Sequence, residues 1–264
     1  MSKLDFDHIV IYVPDLKRAV SQFVELGFNV HYGGEHVHSH NALIYFDDKT
    51  YLELLAIKPG WKKYILRLLA VIKFFSILSF FINDVRRRIF PWIENSYGLV
   101  DWVLRIDDDY NDLLDFSNKN INLLKTKDFS RHSEDGKLIE WSLGGFNKKH
   151  SPLLIKDKTG IDHRILSGNH SKHVNKVTGI KQFDLISNDP VRVSQTLADL
   201  FEDYSNYQKI STSSFSLSGK TISIINSSKK NKVPCIQLSY DGSEVIDLSS
   251  KISYKVRLKL IPNI

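Results

Sequence analysis

Asp5-Phe6-Asp7-His8-Ile9-Val10-Ile11-Tyr12-Val13, answered later in the chain by Tyr51-Leu52-Glu53-Leu54-Leu55-Ala56-Ile57, is the pair of runs that decides the fold. Both are short apolar segments of strand length, each with an ionisable side chain set inside it. Side chains alternate along an extended chain, so Phe6, His8, Val10 and Tyr12 are expected on one face and Asp7, Ile9, Ile11 and Val13 on the other. An imidazole thus stands in an apolar row. In the second run Tyr51, Glu53 and Leu55 share a face, where a carboxylate is costly to bury without a partner. A histidine and a carboxylate so placed suit a divalent metal held through nitrogen and oxygen. They also suit a hydrogen-bonded core histidine and a water-facing glutamate, and the residues alone leave both readings open.

Between the two runs, Pro14-Asp15 ends the first strand and Asp15 offers an N-cap. Leu16, Ala19, Val20, Phe23, Val24 and Leu26 follow at helical spacing, and Gly27 closes the helix. A strand over residues 28–32, a Gly33-Gly34 turn, a strand over 41–46 and a polar hairpin at Asp47-Asp48-Lys49 then lead to the Glu53 strand. Residues 1–57 therefore read as one strand, helix, strand, strand, strand module. His36, His38 and His40 alternate ahead of the third strand and would project together from extended backbone, as a metal site or as a solvated loop. His40 and Asn41 open that strand and are expected to face the substrate.

Residues 58–97 interrupt the pattern as an inserted helical segment. The apolar run over 64–82 approaches membrane-span length, but Arg67 and Lys73 break it and would be expensive at mid-bilayer. Apolar side chains nearly encircle its axis, and Arg86-Arg87-Arg88 follow. This predicts a helical hairpin over the sheet's mouth, a homodimer face, or peripheral contact of residues 62–88 with anionic lipid.

A second module is expected over 98–175. It opens at Gly98-Leu99-Val100-Asp101-Trp102-Val103, with a helix over 110–116 and strands over 123–125, 138–143 and 153–155. Residues 160–178 read as a polar, histidine-rich connector. A third start at Ile180-Lys181-Gln182-Phe183-Asp184 introduces residues 176–264, read as a degenerate third module with C-terminal strands and with loops over 211–214 and 226–232. Laying the helix entry Asp189 on Asp15 sets Gln182 where His8 stands.

The chain has 264 residues, 42% of them hydrophobic, and a net charge of +6 from scattered lysines, which is weak ground for nucleic-acid binding. Its single cysteine, Cys235, allows no intrachain disulfide and no thiolate cluster. With no apolar signal region after Met1, a cytoplasmic location is expected. No glycine-rich phosphate loop, nucleophile elbow or zinc-protease helix occurs.

Taken together, Leu4-Asp5-Phe6-Asp7-His8-Ile9-Val10, Asp15-Leu16, Glu25-Leu26-Gly27-Phe28, His40-Asn41-Ala42-Leu43-Ile44 and Tyr51-Leu52-Glu53-Leu54 resemble the glyoxalase-like branch of the vicinal-oxygen-chelate superfamily. The likeness continues more weakly through Arg131, Asp135-Gly136, Glu140-Trp141 and Pro152-Leu153-Leu154-Ile155. It implies an α+β fold of repeated βαβββ modules, whose curved mixed sheets enclose a cavity where a metal takes ligands from the first and last strands of each module. By position, His8 and Glu53 would be the first module's ligands to Zn, Ni, Mn or Fe. The metal would serve as a Lewis acid toward two neighbouring substrate oxygens, or activate oxygen if iron. Substrates in the resembling families include thiol adducts of ketoaldehydes, catechols and small antibiotics.

The second module departs from that pattern, since the same alignment sets Trp102 at the place of His8 and Ile155 or a neighbour at that of Glu53. Completing the site would call on Gln182, a loop histidine such as His40, or Glu244. The expected site therefore has His8, Glu53 and Gln182 as metal ligands, His40 and Glu53 as catalytic groups, and His40, Asn41, Trp102 and Trp141 around a small-molecule substrate. A metal-dependent lyase, isomerase or dioxygenase is one expectation, and a metal-free small-molecule or lipid binding protein is the other.

Overall fold

The computed structural model describes residues 4–35, 38–95, 97–106, 123–133, 136–227, 232–252 and 254–263. The first module runs β1 (Leu4–Tyr12), α1 (Leu16–Glu25), β2 (His31–Glu35), β3 (Ser39–Tyr45) and β4 (Tyr51–Ile57). Asp15 caps α1 by accepting from the Arg18 N–H at 2.8 Å, and Leu16, Ala19 and Phe23 are the helix's buried stripe. The insert follows as α2 (Trp61–Val71), α3 (Phe74–Ser79), α4 (Arg86–Ile89) and a 3-10 turn (Phe90–Glu94). The second module supplies β5 (Gly98–Ile106), β6 (Leu123–His132), β7 (Leu138–Phe146) and β8 (Leu153–Asp157), and the helix expected over 110–116 lies outside the described residues.

After α5 (Ile161–Arg164), the remainder comprises β9 (Val177–Ser187), α6 (Pro190–Phe201), β10 (Tyr207–Ser211), β11 (Ser214–Leu217), β12 (Lys220–Asn226), β13 (Cys235–Tyr240), β14 (Ile246–Asp247) and β15 (Arg257–Pro262). The order β9 to β12 repeats strand, helix, strand, strand, strand in full, where the sequence suggested a degenerate unit with a loop over 211–214. Tyr207–Ser211 carries mostly polar, exposed side chains and therefore lacks the apolar alternation that marks a strand. The α+β class expected from the resemblance holds. Among the described residues the strands form two mixed sheets, ordered β2-β3-β4-β1-β5-β8-β7-β6 and β10-β11-β12-β9-β13-β15-β14.

The main core lies between the sheets. Phe6, Ile9, Ile11, Trp102 and Leu104 of the first meet Phe183, Leu185, Phe215, Ile222 and Leu238 of the second, with α1 and α6 filling the layer. The first sheet's other face carries Val10, Val103, Leu153 and Ile155, and the insert covers them with Val85, Ile89 and Trp92. Burying both faces explains why β1 is apolar on either side of its alternation.

The β1 to β5 ladder contains two bulges that set the site. Phe6 opposes Leu104 but His8 opposes Val103, leaving Asp7 as an extra residue; Val10 opposes Asp101 but Ile11 opposes Leu99, leaving Val100 extra. The expected strict alternation therefore fails at Asp7. Phe6 goes to the core with Ile9 and Ile11, and Asp7 joins His8 instead of opposing it. The ladder is also nearly symmetric about the Ile9 to Trp102 pair, so the register equates Ile9 with Trp102 and His8 with Asp101. Val10 lies beside Glu53 and Val103 beside Leu153, which equates Glu53 with Leu153. In β9, Lys181 is the extra residue and Gln182 follows it, opposite Thr221.

Candidate functional site

His8 and Glu53 converge on the insert-facing side of the first sheet, from adjacent parallel strands. His8 Nε2 stands 3.4 Å from Glu53 Oε2, with the histidine side chain 5% exposed and the glutamate 17%. On the far edge of the ring, His8 Nδ1 is 2.6 Å from Asp7 Oδ1, and the ring stacks on Tyr51 at 4.3 Å between centroids. Burial alone would lower the affinity of His8 for a proton, but hydrogen bonds to Asp7 and Glu53 outweigh it and raise its pKa above the usual value. The Asn41 amide donates Nδ2 to Glu53 Oε1 at 2.7 Å. Its Oδ1 is buried without a hydrogen-bond partner among the described residues. β2 begins later than the sequence suggested and runs through Gly33-Gly34. Gly33 is needed there because a Cβ at that position would stand 2.2 Å from Asn41 Oδ1.

Behind His8 lies an ionic network that the sequence reading missed. Arg164 donates Nη1 to Asp7 Oδ1 at 2.9 Å and Nη2 to Asp7 Oδ2 at 2.7 Å, then reaches Asp157 with Nε and Nη2 at 2.5 and 2.9 Å. Its Nη1 also donates to the Tyr51 hydroxyl at 3.0 Å, and Arg105 adds a donor to Asp7 Oδ2 at 3.2 Å. Burial would raise the Asp7 carboxyl, yet Arg164 and His8 hold it well below the usual carboxylate range. Arg164 falls in the stretch read as a polar connector, although its apolar neighbours Ile161, Ile165 and Leu166 were a signal of burial.

The other expected site residues are distributed as follows. Trp141 lies on the same side of the sheet as Val10, stacked on Phe129 at 6.2 Å. Trp102 turns to the intersheet core, stacks on Phe6 at 6.2 Å and donates Nε1 to the His150 carbonyl at 2.9 Å. It is thus neither the counterpart of His8 nor a wall of the His8 site, because the Val100 bulge shifts the register by one. His40 alternates to the face of Ala42 and Ile44, away from Asn41 and Glu53, since the β3 to β4 ladder is unbroken. His38 is exposed and His36 lies outside the described residues, as does Asp135. Gln182 belongs to the second sheet, where its Nε2 donates to Ser223 Oγ at 3.2 Å; the intersheet core separates it from His8 and Glu53. Glu244 lies in the segment between β13 and β14 of that same sheet, not beside His8.

The second module's half of the site is changed in kind. Asp101, the register counterpart of His8, is held by Arg88 of the insert, whose Nη2 donates to both carboxylate oxygens at 2.7 Å, and by Trp92 Nε1 at 3.3 Å. Leu153 takes the place of Glu53. No cluster of three or more His, Cys, Asp or Glu able to hold a metal occurs among the described residues. The donors that fit an ion are His8 Nε2 and Glu53 Oε2. Two donors each about 2.0–2.1 Å from a tetrahedral ion stand about 3.4 Å apart, whereas a charge-assisted N–H to carboxylate bond is shorter, about 2.7–2.9 Å. The observed 3.4 Å therefore matches one edge of a coordination shell. Its remaining positions would fall to water and ligand oxygens.

Residues 6–201 match the sequence profile of a family described as "Glyoxalase-like domain". No curated protein matches the chain. Among solved structures, a hypothetical protein from Staphylococcus aureus superposes with a TM-score of 0.70 at 15% identity, covering 98% of this chain and 100% of that one. The Mn(II)-bound glyoxalase from Novosphingobium aromaticivorans gives a TM-score of 0.47 at 11% identity, covering 95% of this chain and 69% of that one. At these identities the likeness is one of fold.

Proposed function

Since the chain belongs to the glyoxalase-like domain family, with the vicinal-oxygen-chelate fold, we propose that it acts on a small oxygenated molecule bound over His8, Glu53 and Asn41. His8 Nε2 and Glu53 Oε2 would hold a divalent metal, Zn, Ni, Mn or Fe, in a lyase, isomerase or dioxygenase reaction. The observation that carries this reading is the 3.4 Å between those two atoms, with Asp7 at 2.6 Å behind the same ring.

When bound, the ion would polarise neighbouring ligand oxygens as a Lewis acid. The rest follows from the chain's own residues. Arg164 keeps Asp7 ionised, and Asp7 accepts the Nδ1 proton of His8, which leaves the Nε2 lone pair turned to Glu53. Asn41 anchors Glu53 Oε1, so that Oε2 is the oxygen presented to His8. The free Asn41 Oδ1 is placed to accept a hydroxyl proton of the ligand. Asp7 thereby acts as a positioning residue.

Titration with Mn2+ followed by electron paramagnetic resonance tests the proposal. One saturable site is expected in the wild type, weakened at least tenfold in His8→Ala and in Glu53→Gln; saturable binding unchanged by both substitutions would contradict it. The second reading, metal-free ligand binding, draws on the Arg88 to Asp101 pair and on Leu153, which remove half of the ligand set. It predicts no saturable Mn2+ signal, together with retained ligand-induced thermal stabilisation in Glu53→Gln.

A further inference from the structure

The insert's first helix is amphipathic in the reverse of the usual sense. Trp61, Tyr64, Ile65, Leu68, Val71 and Ile72 recur at helical spacing along one stripe, and all are exposed, Val71 by 78%. The half-buried positions are Lys63, Leu66, Leu69 and Ala70, so the side turned to the protein is no more apolar than the side turned to solvent. At Lys73 the backbone takes a left-handed conformation, φ 58°, that turns the chain into α3. The exposed row then continues through Ile77, Phe80 and Phe81, the last 83% exposed. A contiguous apolar surface of this kind, on helices that need none of it for their own packing, marks an interaction site.

We propose that this helical hairpin docks on a membrane surface that carries anionic lipids. Charge decides the occupant. Residues 61–82 contain Lys62, Lys63, Arg67 and Lys73 and no aspartate or glutamate. On the helix, Lys62 lies at one border of the apolar stripe and Arg67 at the other, the placement from which cationic side chains reach lipid headgroups while the stripe enters the acyl boundary. A second copy packed twofold on the same face would bring these cations together with no acidic partner in the segment. No helix among the described residues is long and apolar enough to cross a membrane, so the contact is one of docking along the surface. The apolar stripe exceeds what the hairpin uses internally, where Phe75 and Ser79 face inward and Glu94 accepts from the Ser76 N–H at 2.9 Å.

Flotation of the full chain with vesicles provides the test. The wild type is expected to rise with phosphatidylcholine vesicles containing phosphatidylglycerol, at least tenfold more than with phosphatidylcholine alone, and to be released as salt is raised. Phe80→Ser with Phe81→Ser should cut that partition at least tenfold while leaving the circular dichroism spectrum and melting point unchanged, because both rings are exposed. Leu68→Ser, on the other helix, should act in the same direction. Wild type left in solution beside anionic vesicles would overturn the proposal, as would equal binding to neutral vesicles or binding that the double substitution leaves intact. A wild-type dimer in sedimentation velocity that the double substitution dissociates, without vesicle binding, would assign the surface to a second copy instead.

Discussion

Arg164 grips the carboxylate of Asp7 through both terminal guanidinium nitrogens, at 2.9 and 2.7 Å, across 157 residues of chain. Both side chains are buried, 4% and 0% exposed, and Asp157 takes the opposite edge of the same guanidinium. Removing one partner from such a pair leaves a charge without compensation and costs about 3–5 kcal/mol. Arg164→Met should therefore lower the unfolding free energy by about that amount in urea titration, and Asp7→Asn combined with Arg164→Met should cost less than the sum of the two single changes. A loss below about 1 kcal/mol for Arg164→Met would show that the network does not support the fold.

His150 gives a stability that depends on pH. Burial, with Lys149 and Arg88 nearby, lowers its pKa to about 4 from 6.5. The unfolded chain then binds a proton at this residue that the folded chain refuses, so stability falls as pH drops from about 6.5 toward about 4. His150→Asn should flatten that part of the stability profile; asparagine tolerates the φ of 70° there, and the carbonyl that accepts from Trp102 is retained. An unchanged slope would mean that the ring is already protonated in the fold.

Gly33→Ala should act on the site more than on the fold. The added methyl meets Asn41 Oδ1 at 2.2 Å and Asn41 Cγ at 3.0 Å, and so displaces the amide that anchors Glu53. Mn2+ affinity should fall several-fold with a shift in melting temperature of only a few degrees, the scale of about 1 kcal/mol for a chain of this size. Affinity equal to that of the wild type would remove Asn41 from the account.

Much of the first module was legible because its signals are local. The Asp15 cap, the apolar spacing of α1, and the apolar runs around His8 and Glu53 each follow from neighbouring residues, and the alternation in β4 sets Glu53 on the face that His8 uses. The bulge at Asp7 was not legible, because it exists only in the pairing of β1 with β5. It reversed the expected sides of Phe6 and Asp7, and its twin at Val100 made Asp101, not Trp102, the counterpart of His8. Arg164 was missed because its partners lie far away in sequence. A signal was nonetheless present in the recurrence of aspartate in Phe6-Asp7, Val100-Asp101 and Phe183-Asp184. Each of the three meets an arginine, namely Arg164, Arg88 and, at 4.0 Å, Arg257. The separation of Gln182 from His8 likewise depends on how the two sheets pack, which strand periodicity does not encode.

The central claim is that His8 and Glu53 form one edge of a metal site, and crystals soaked in Mn2+ measure it most directly. The account predicts an anomalous difference peak about 2.0–2.3 Å from both His8 Nε2 and Glu53 Oε2, with Asp7 still on Nδ1. A soaked crystal in which the two side chains keep their 3.4 Å spacing with no anomalous density between them, or in which the ion sits elsewhere, would contradict it.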